Sequence, residues 1–400
     1  MTLAQNNLAL RRSRMAADVH DSGGVVAEAR TDDLSRNVYC VLGMPIDATD
    51  MATVLRKIEA AAVSRAPFLM STPNLNWLAT SRSDSEFRES ILDSDLCPAD
   101  GIPIVWIARL TGMPIKERIS GSDIFEALKA SDRRRLTIFL FGGAASVAAA
   151  AARTMNVEPA GLRCVGSMDP GFGTVDEMSQ DNIIDMVNSS HADFLVVSLG
   201  AKKGQLWLRR NHERLTIPIR APLGAVINFQ AGTVKRAPPR IRAWGLEWLW
   251  RIKEEPYLWR RYWNDGRVLL RLLLTRVLPL AIVNRWHRLR WQRQAQDLVI
   301  KIAPNHESVM ISLCGVAVER HIAKAMSYLR EGLTGRPKAI IIDLSDTHVI
   351  DARFFGLLLM LRKQLRGQGA SLKFIGVPRP IARLFCLNEL GFLLAADQTV

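Results

Sequence analysis

LTIFLFGG (residues 136–143) and ADFLVVSLG (192–200) are apolar almost throughout, and each ends in glycine. Neither alternates polar with apolar positions as a half-buried strand does. A strand that is apolar on both faces needs cover on both faces, which is the condition of a parallel sheet sandwiched between helices. Upstream the rhythm continues, with short apolar runs at 68–70 and 104–105 alternating with helical patterns near 84–93 and 122–130. The expectation is a Rossmann-like, mostly parallel α/β domain over residues 37–234.

In open sheets of this kind the ligand sits beyond the carboxyl ends of the strands. Gly142, Gly143, Gly200 and Gly204 fall there. Two readings stay open for them: a close backbone approach to a phosphate, or turn and cap glycines only.

The formal net charge of +14 is concentrated in one place. Residues 235–293 hold 15 Lys/Arg against 4 Asp/Glu, a net +11, together with seven of the ten tryptophans. Within this stretch VLLRLLLTRVLPLAIV (268–283) is short for a membrane span and is broken by Arg271, Arg276 and Pro279. A helix lying among lipid headgroups, its cations on anionic phosphates, suits such a pattern; a helical pair packed on its own domain is the plainer alternative. The segment 235–296 is therefore expected as a basic helical appendage at an anionic membrane surface. Interleaved Trp and Arg also fit a nucleic-acid surface, a reading set aside in favour of lipid. Five scattered cysteines without a CxxC pair argue against a zinc ribbon or a disulfide framework and fit a reducing cytoplasm. Residues 1–36 carry Arg11, Arg12 and Arg14 but no apolar run, so they read as a disordered leader.

Three polar constellations sit at the ends of apolar runs: Thr72-Pro73-Asn74, Asp100-Gly101, and Arg118 followed by Ser120-Gly121-Ser122-Asp123. Sugar transfer from a nucleotide donor needs a base for the acceptor hydroxyl and cations or donors for the departing diphosphate. Asp100, in a turn against the apolar IPIVWIA run, is placed to be partly desolvated and raised in pKa; a carboxylate capping the next helix is the bland reading. Arg118 before a cluster of N-cap residues is equally a phosphate contact or part of a cap.

These constellations, in this order, resemble the WecG/TagA/CpsF glycosyltransferases (glycosyltransferase family 26) over residues 38 to about 264. The most specific stretch is AGTVKRAPPRIRAWGLEWLWRIKEEPYLWRRY (231–262), which resembles the family's AGxxxRAP, GLEWLxRL and EPxRxxRY signature. The resemblance implies inverting transfer of N-acetylmannosamine, its uronic acid or a related hexose from a UDP-sugar to a polyprenyl-diphosphate-linked saccharide, in exopolysaccharide or cell-wall polymer synthesis. It implies Asp100 as base, with Thr72 and Asn74 in the active site, and Arg118 and Ser122 on the diphosphate side. Gly143, Gly200, Gln205 and Asn228 follow as donor contacts, and Arg236, Arg240, Arg251, Arg260 and Arg261 as ligands for lipid or diphosphate phosphates. Neither cofactor nor metal is expected, and the enzyme is placed peripherally on the inner face of the cytoplasmic membrane. Two departures matter. The family's GxPKQExW segment reads Gly200 to Trp207 here with Lys202, Gly204 and Gln205 altered, and its acidic GxxFDFxAG position is Asn228. A changed donor sugar, or a weakened enzyme serving as a membrane-associated scaffold, follows from either.

Residues 297–400 are expected as a small α/β domain with strands LVIKIAP, VMISLCG, AIIIDLS and LKFIGV and helices near 317–332, 352–367 and 379–390. AIIIDLSDTHVIDARFFGLLLMLRKQLRG resembles a STAS domain, the fold of sulfate-transporter and anti-sigma-antagonist modules. Ala352 stands where regulatory members carry the phosphorylated Ser or Thr, so the resemblance implies a constitutive protein-interaction domain or an intramolecular regulatory one, with Ser345 or Thr347 as poor substitutes and an envelope-synthesis protein as partner in the first case.

Overall fold

The computed structural model describes residues 32–157, 161–291 and 297–395. Most of the expected leader lies outside the described residues. Its last five residues do not behave as one: Asp33–Ser35 form a 3-10 turn, Leu34 is fully buried, and the buried Arg36 guanidinium lies 2.7 Å from Asp47. A leader ends where its side chains begin to find partners, and here that happens by residue 33.

A hairpin of β1 (Val38–Val41) and β2 (Met44–Asp47) comes first, every residue buried. There follow α1 (Met51–Ser64), β3 (Phe68–Leu69), α2 (Leu75–Ser83), α3 (Ser85–Leu92), α4 (Ile102–Thr111) and α5 (Gly121–Lys129). Then β4 (Leu136–Gly142), α6 (Ala145–Val157), β5 (Leu162–Met168), α7 (Asp181–Ser189), β6 (Phe194–Ser198), α8 (Ala201–Arg210) and β7 (Ile219–Ala221) complete a five-stranded sheet. Its order is β3-β7-β6-β4-β5 and every pairing is parallel. β4 and β6 lie side by side at its centre, which is why their sequences tolerate no polar face.

The apolar run 104–105 belongs to a helix, not a strand. Gly101 and Pro103 start α4, whose inner face buries Ile104, Val105, Ile107 and Ala108 while Trp106 and Leu110 stay exposed. The short β7 is likewise disguised, because its middle residue is the fully buried Arg220, whose guanidinium donates to the carbonyls of His212, Leu215 and Ile217 at 2.5–2.7 Å.

Beyond the sheet, α9 (Val226–Gln230), α10 (Pro239–Ala243) and α11 (Glu247–Glu254) lead into a long helix made of α12 (Trp259–Leu272), a π-helical turn (Leu273–Val277) and α13 (Leu278–Trp291). No helix among the described residues is long and apolar enough to cross a membrane.

A second sheet gathers β8 (Leu298–Pro304), β9 (Ser308–Ala317), β10 (Ala339–Asp343), β11 (Thr347–Ile350) and β12 (Ser371–Ile375) in the order β11-β9-β10-β12, with β8 antiparallel to β9. It carries α14 (Ile322–Thr334), α15 (Ala352–Arg366), α16 (Arg379–Leu387) and α17 (Gly391–Ala395). α15 is buried all round because it is shared: Leu34, Val38, Cys40 and Leu92 of the first part join the same apolar core as the second sheet. Arg353 donates to the carbonyls of Val38 and Arg36, and a Cβ on Gly356 would lie 2.0 Å from the Val38 carbonyl oxygen. Asp351 caps α15 through the Phe354 N–H and also accepts from the Glu319 N–H. The helix that follows Ala352 is thus occupied by the chain's own N-terminal hairpin.

Candidate active site

Three loops converge at the carboxyl end of the first sheet, each tied to the next by its backbone. After β3 the chain turns through Ser71-Thr72-Pro73-Asn74. Asn74 caps α2, its side-chain oxygen accepting from the N–H groups of Asn76 and Trp77 at 3.1 and 3.3 Å. The Asp100 N–H donates to the Pro73 carbonyl at 3.0 Å, and the Ile119 N–H to the Ala99 carbonyl at 2.8 Å. Thr72, Asn74, Asp100 and Arg118, separated by up to 46 positions, therefore share one cleft.

Asp100 does not cap α4. Gly101, at φ 98°, holds the N-cap position and no side chain caps the helix. The carboxylate is left for the cleft, where desolvation pushes its pKa up to about 7. Arg118 and a hydrogen bond from Asn74 oppose that rise, while the neighbouring Glu247 and Asp123 add to it.

Arg118 sits between two carboxylates, 2.7 Å from Asp123 and 3.0 Å from Glu247. Asp123 is the centre of this network. Ser120 Oγ donates to its Oδ2 at 2.6 Å, Arg242 lies 3.1 Å from its Oδ1, and Arg236 pairs with the same oxygen. Burial alone would raise the Asp123 carboxyl, but the Ser120 hydroxyl with Arg118 and Arg236 holds it below the usual range. Arg251 pairs with Glu255 at 2.8 Å. The Nε atoms of Arg236, Arg242 and Arg251 are buried without a hydrogen-bond partner. Among the described residues these three arginines of 236–251 thus each keep a buried donor that nothing in the protein satisfies.

The glycines divide. Gly142, at φ 93°, turns the chain off β4 where a Cβ would stand 2.7 Å from the Ser198 carbonyl oxygen, so it is required by packing. Gly200, at φ 81°, starts α8 with no atom within 4 Å of a hypothetical Cβ, leaving the backbone open to a ligand. Gly143 follows Gly142 at the same sheet edge, and Asn228 projects from α9, partly exposed and without a side-chain bond among the described residues. Ser122 lies in the first turn of α5, behind Ser120, which is the actual cap.

Gln205 is a correction. It is fully buried and its amide is spent inside the protein, accepting from Ser71 Oγ at 2.9 Å and donating to the Ser90 carbonyl and Ser94 Oγ at 2.7 and 3.2 Å. It props the Ser71–Asn74 loop from behind and cannot face a donor. Of the five appendage arginines, Arg236 and Arg251 point into the site, whereas Arg240, Arg260 and Arg261 are exposed. Asp123, Arg242 and Glu247 complete the network without having been singled out. Their signal was present in the GSD and GLEW motifs, but nothing local in the sequence connects Glu247 with an arginine 129 positions away. No group of three metal-ligating side chains is found among the described residues.

The Glycosyl transferase WecG/TagA/CpsF family matches residues 39–281. A Bacillus spizizenii protein named N-acetylglucosaminyldiphosphoundecaprenol N-acetyl-beta-D-mannosaminyltransferase is 29% identical over 175 residues, covering 43% of this chain and 66% of that protein, just under two thirds of its length. A Bacillus subtilis protein of the same name is 24% identical over 206 residues, covering 51% of this chain and 78% of its own. Among solved structures, the Bacillus cell fate determinant SpoIIAA in its phosphorylated form overlaps 24% of this chain and 88% of its own at 17% identity, with a TM-score of 0.21. The family match takes in both parallel-sheet loops, the Asp123 arginine network and most of the long helix, and the chain belongs to the WecG/TagA/CpsF glycosyl transferase family.

Proposed function

We propose that this protein transfers an N-acetylhexosamine or hexose, N-acetylmannosamine or its uronic acid among them, from a UDP-sugar to a polyprenyl-diphosphate-linked saccharide. The observation that carries the reading is a carboxylate poised near pH 7 beside a set of buried arginine donors without partners. A base works best when its pKa lies near the working pH. Asp100 takes the proton of the acceptor hydroxyl as that oxygen bonds to the anomeric carbon. The bond from that carbon to the UDP oxygen breaks on the opposite face, which inverts the centre and leaves UDP as a diphosphate anion. Arg236, Arg242 and Arg251 stabilise the departing charge through their guanidinium charge and the Nε donor left on each, and Arg118, held by Asp123 and Glu247, fixes the frame around them. The reading uses no metal and no cofactor.

The uridine diphosphate is placed against Gly143, Gly200 and Asn228, and the acceptor enters from the side of α4 and α12. The names of the two Bacillus relatives support a lipid-linked acceptor, and an exposed apolar face supports work at a membrane, here assigned to its cytoplasmic side. The scaffold alternative loses ground because Gln205 does structural work: a departure from the family pattern at a buried prop leaves the nucleotide side untouched.

The test is incubation of the protein and its Asp100→Asn variant with a panel of UDP-sugars and a short-chain lipid-diphosphate saccharide, read by mass spectrometry. One added sugar with the wild type, and at least a hundredfold less with the variant, is expected. No product with any donor sinks the proposal.

A further inference from the structure

The long helix from Trp259 to Trp291 exposes one apolar stripe at nearly constant four-residue spacing: Leu270, Leu274, Leu278, Ile282, Trp286 and Leu289, each at least 44% exposed. At 1.5 Å per residue the stripe is about 28 Å long. At its carboxyl end α13 meets α16 of the second sheet's domain, and the two enclose a groove of about 390 Å³. Trp286, His287, His348, Arg379, Arg383 and Leu384 line it.

This groove gathers two cations that the domain's carboxylates leave unanswered. Arg330, Arg353, Arg362 and Arg366 all hold carboxylates or carbonyls. Neither Arg379 nor Arg383 has an ion-pair or hydrogen-bond partner among the described residues, and both open into the same cavity. Two uncompensated guanidinium groups opening into one groove select an anion, and guanidinium matches phosphate oxygens in pairs. Trp286 belongs both to the groove's lining and to the exposed stripe.

We infer that the groove between α13 and α16 binds the headgroup phosphate of an anionic phospholipid whose acyl chains lie along the stripe. The second domain thereby becomes part of the membrane-contacting surface, beyond the basic appendage itself. A free phosphate shares the headgroup chemistry but has no use for the stripe; charge and apolar surface together fit a lipid. The inference rests on the membrane placement proposed above.

The experiment is co-sedimentation of the full chain with phosphatidylcholine vesicles, with and without phosphatidylglycerol. Wild type is compared with Arg379→Ala/Arg383→Ala and with the charge-keeping Arg379→Lys/Arg383→Lys. Both positions are exposed, so the variants are expected to melt like wild type. Each surface cation contributes about 1 kcal/mol on anionic lipid, so the alanine pair should bind phosphatidylglycerol vesicles roughly 30-fold more weakly, while the lysine pair, which keeps the charge but loses the paired donors, should fall between the two. Wild-type binding that the alanine pair leaves unchanged overturns the groove and keeps the membrane placement. Absence of wild-type binding to any vesicle overturns both. A calorimetric heat with inorganic phosphate that vanishes in the alanine pair while vesicle binding persists assigns the groove to a soluble anion and overturns the lipid.

Discussion

Lys363 is the residue through which the second domain grips the catalytic half, and its replacement by methionine gives a sharp test. Its Nζ lies 2.8 Å from Asp95, 2.9 Å from Asp33 and 3.1 Å from the Ser94 carbonyl, with all three side chains at most 14% exposed. Asp33 keeps a second cation in Arg36 at 3.2 Å. Asp95 has only Lys363 and the Leu69 N–H at 2.8 Å. Methionine fills the same length without charge, so the loss is electrostatic. Removing one partner of a buried pair costs about 3–5 kcal/mol, because the other charge stays buried. The pH dependence carries the distinguishing sign. Burial alone would raise the Asp95 carboxyl, but Lys363 pulls it below the ordinary value. In the wild type its contribution is therefore present above the unfolded pKa of about 3.9 and is lost as pH falls through the lower folded value. In Lys363→Met Asp95 loses its principal cation while burial still opposes its charge, so its folded pKa moves up, and the penalty is largest at pH 7 and shrinks as Asp95 protonates. Urea melts of wild type, Lys363→Met, Asp95→Asn and the double variant at pH 7 and pH 4.5 would show it, with the double variant more stable than the sum of its parts. A loss under about 1 kcal/mol at pH 7, or an equal loss at both pH values, refutes the reasoning.

Two further outcomes follow from the site. Asp100, raised to about 7, should give a transfer rate that climbs with pH through that value and flattens above it, and Asp100→Asn should abolish the climb. Because its folded pKa exceeds the unfolded one, stability from its proton is present below about 3.9 and lost as pH rises through 7, so Asp100→Asn should melt higher than wild type at pH 8 but not at pH 4. Gly142→Ala and Gly200→Ala share a positive φ, costing about 1–3 kcal/mol each, yet only Gly142 adds a clash with the Ser198 carbonyl. The Gly142 variant should lose more in urea melts, and Gly200→Ala should instead weaken UDP binding by calorimetry; the reverse order contradicts the assignment of the two glycines.

The central strands were legible because burial on two faces leaves a one-dimensional trace, an unbroken apolar run. β7 left none, since it is a three-residue strand around Arg220, whose guanidinium is satisfied by carbonyls of the segment that precedes it. The run at 104–105 misled for the opposite reason: a helix packed on one side and greasy on the other is as apolar as a strand. The hairpin of β1 and β2 was equally silent. One side of β1 is covered by α15, more than 300 positions away, and the rest of the hairpin by Trp77, Ile104 and Leu272, and no pattern within eight residues records such neighbours.

The arginines show where sequence reasoning stops. Arg236, Arg240, Arg242 and Arg251 stand in one basic stretch, identical in chemistry and near in position. The fold separates them by what it places opposite: Asp123 takes Arg236 and Arg242, Glu255 takes Arg251, and Arg240 keeps to the surface. A carboxylate that holds two arginines by their Nη atoms while their Nε atoms stay buried and unpaired does more than neutralise them. It fixes two forks at one angle and leaves a donor on each. Such an arrangement is costly without an acceptor, and it is suited to an anion that is made during the reaction and then leaves. On the proposed reading, Asp123 answers part of the positive charge of its arginines, so that only the remainder would meet a departing diphosphate.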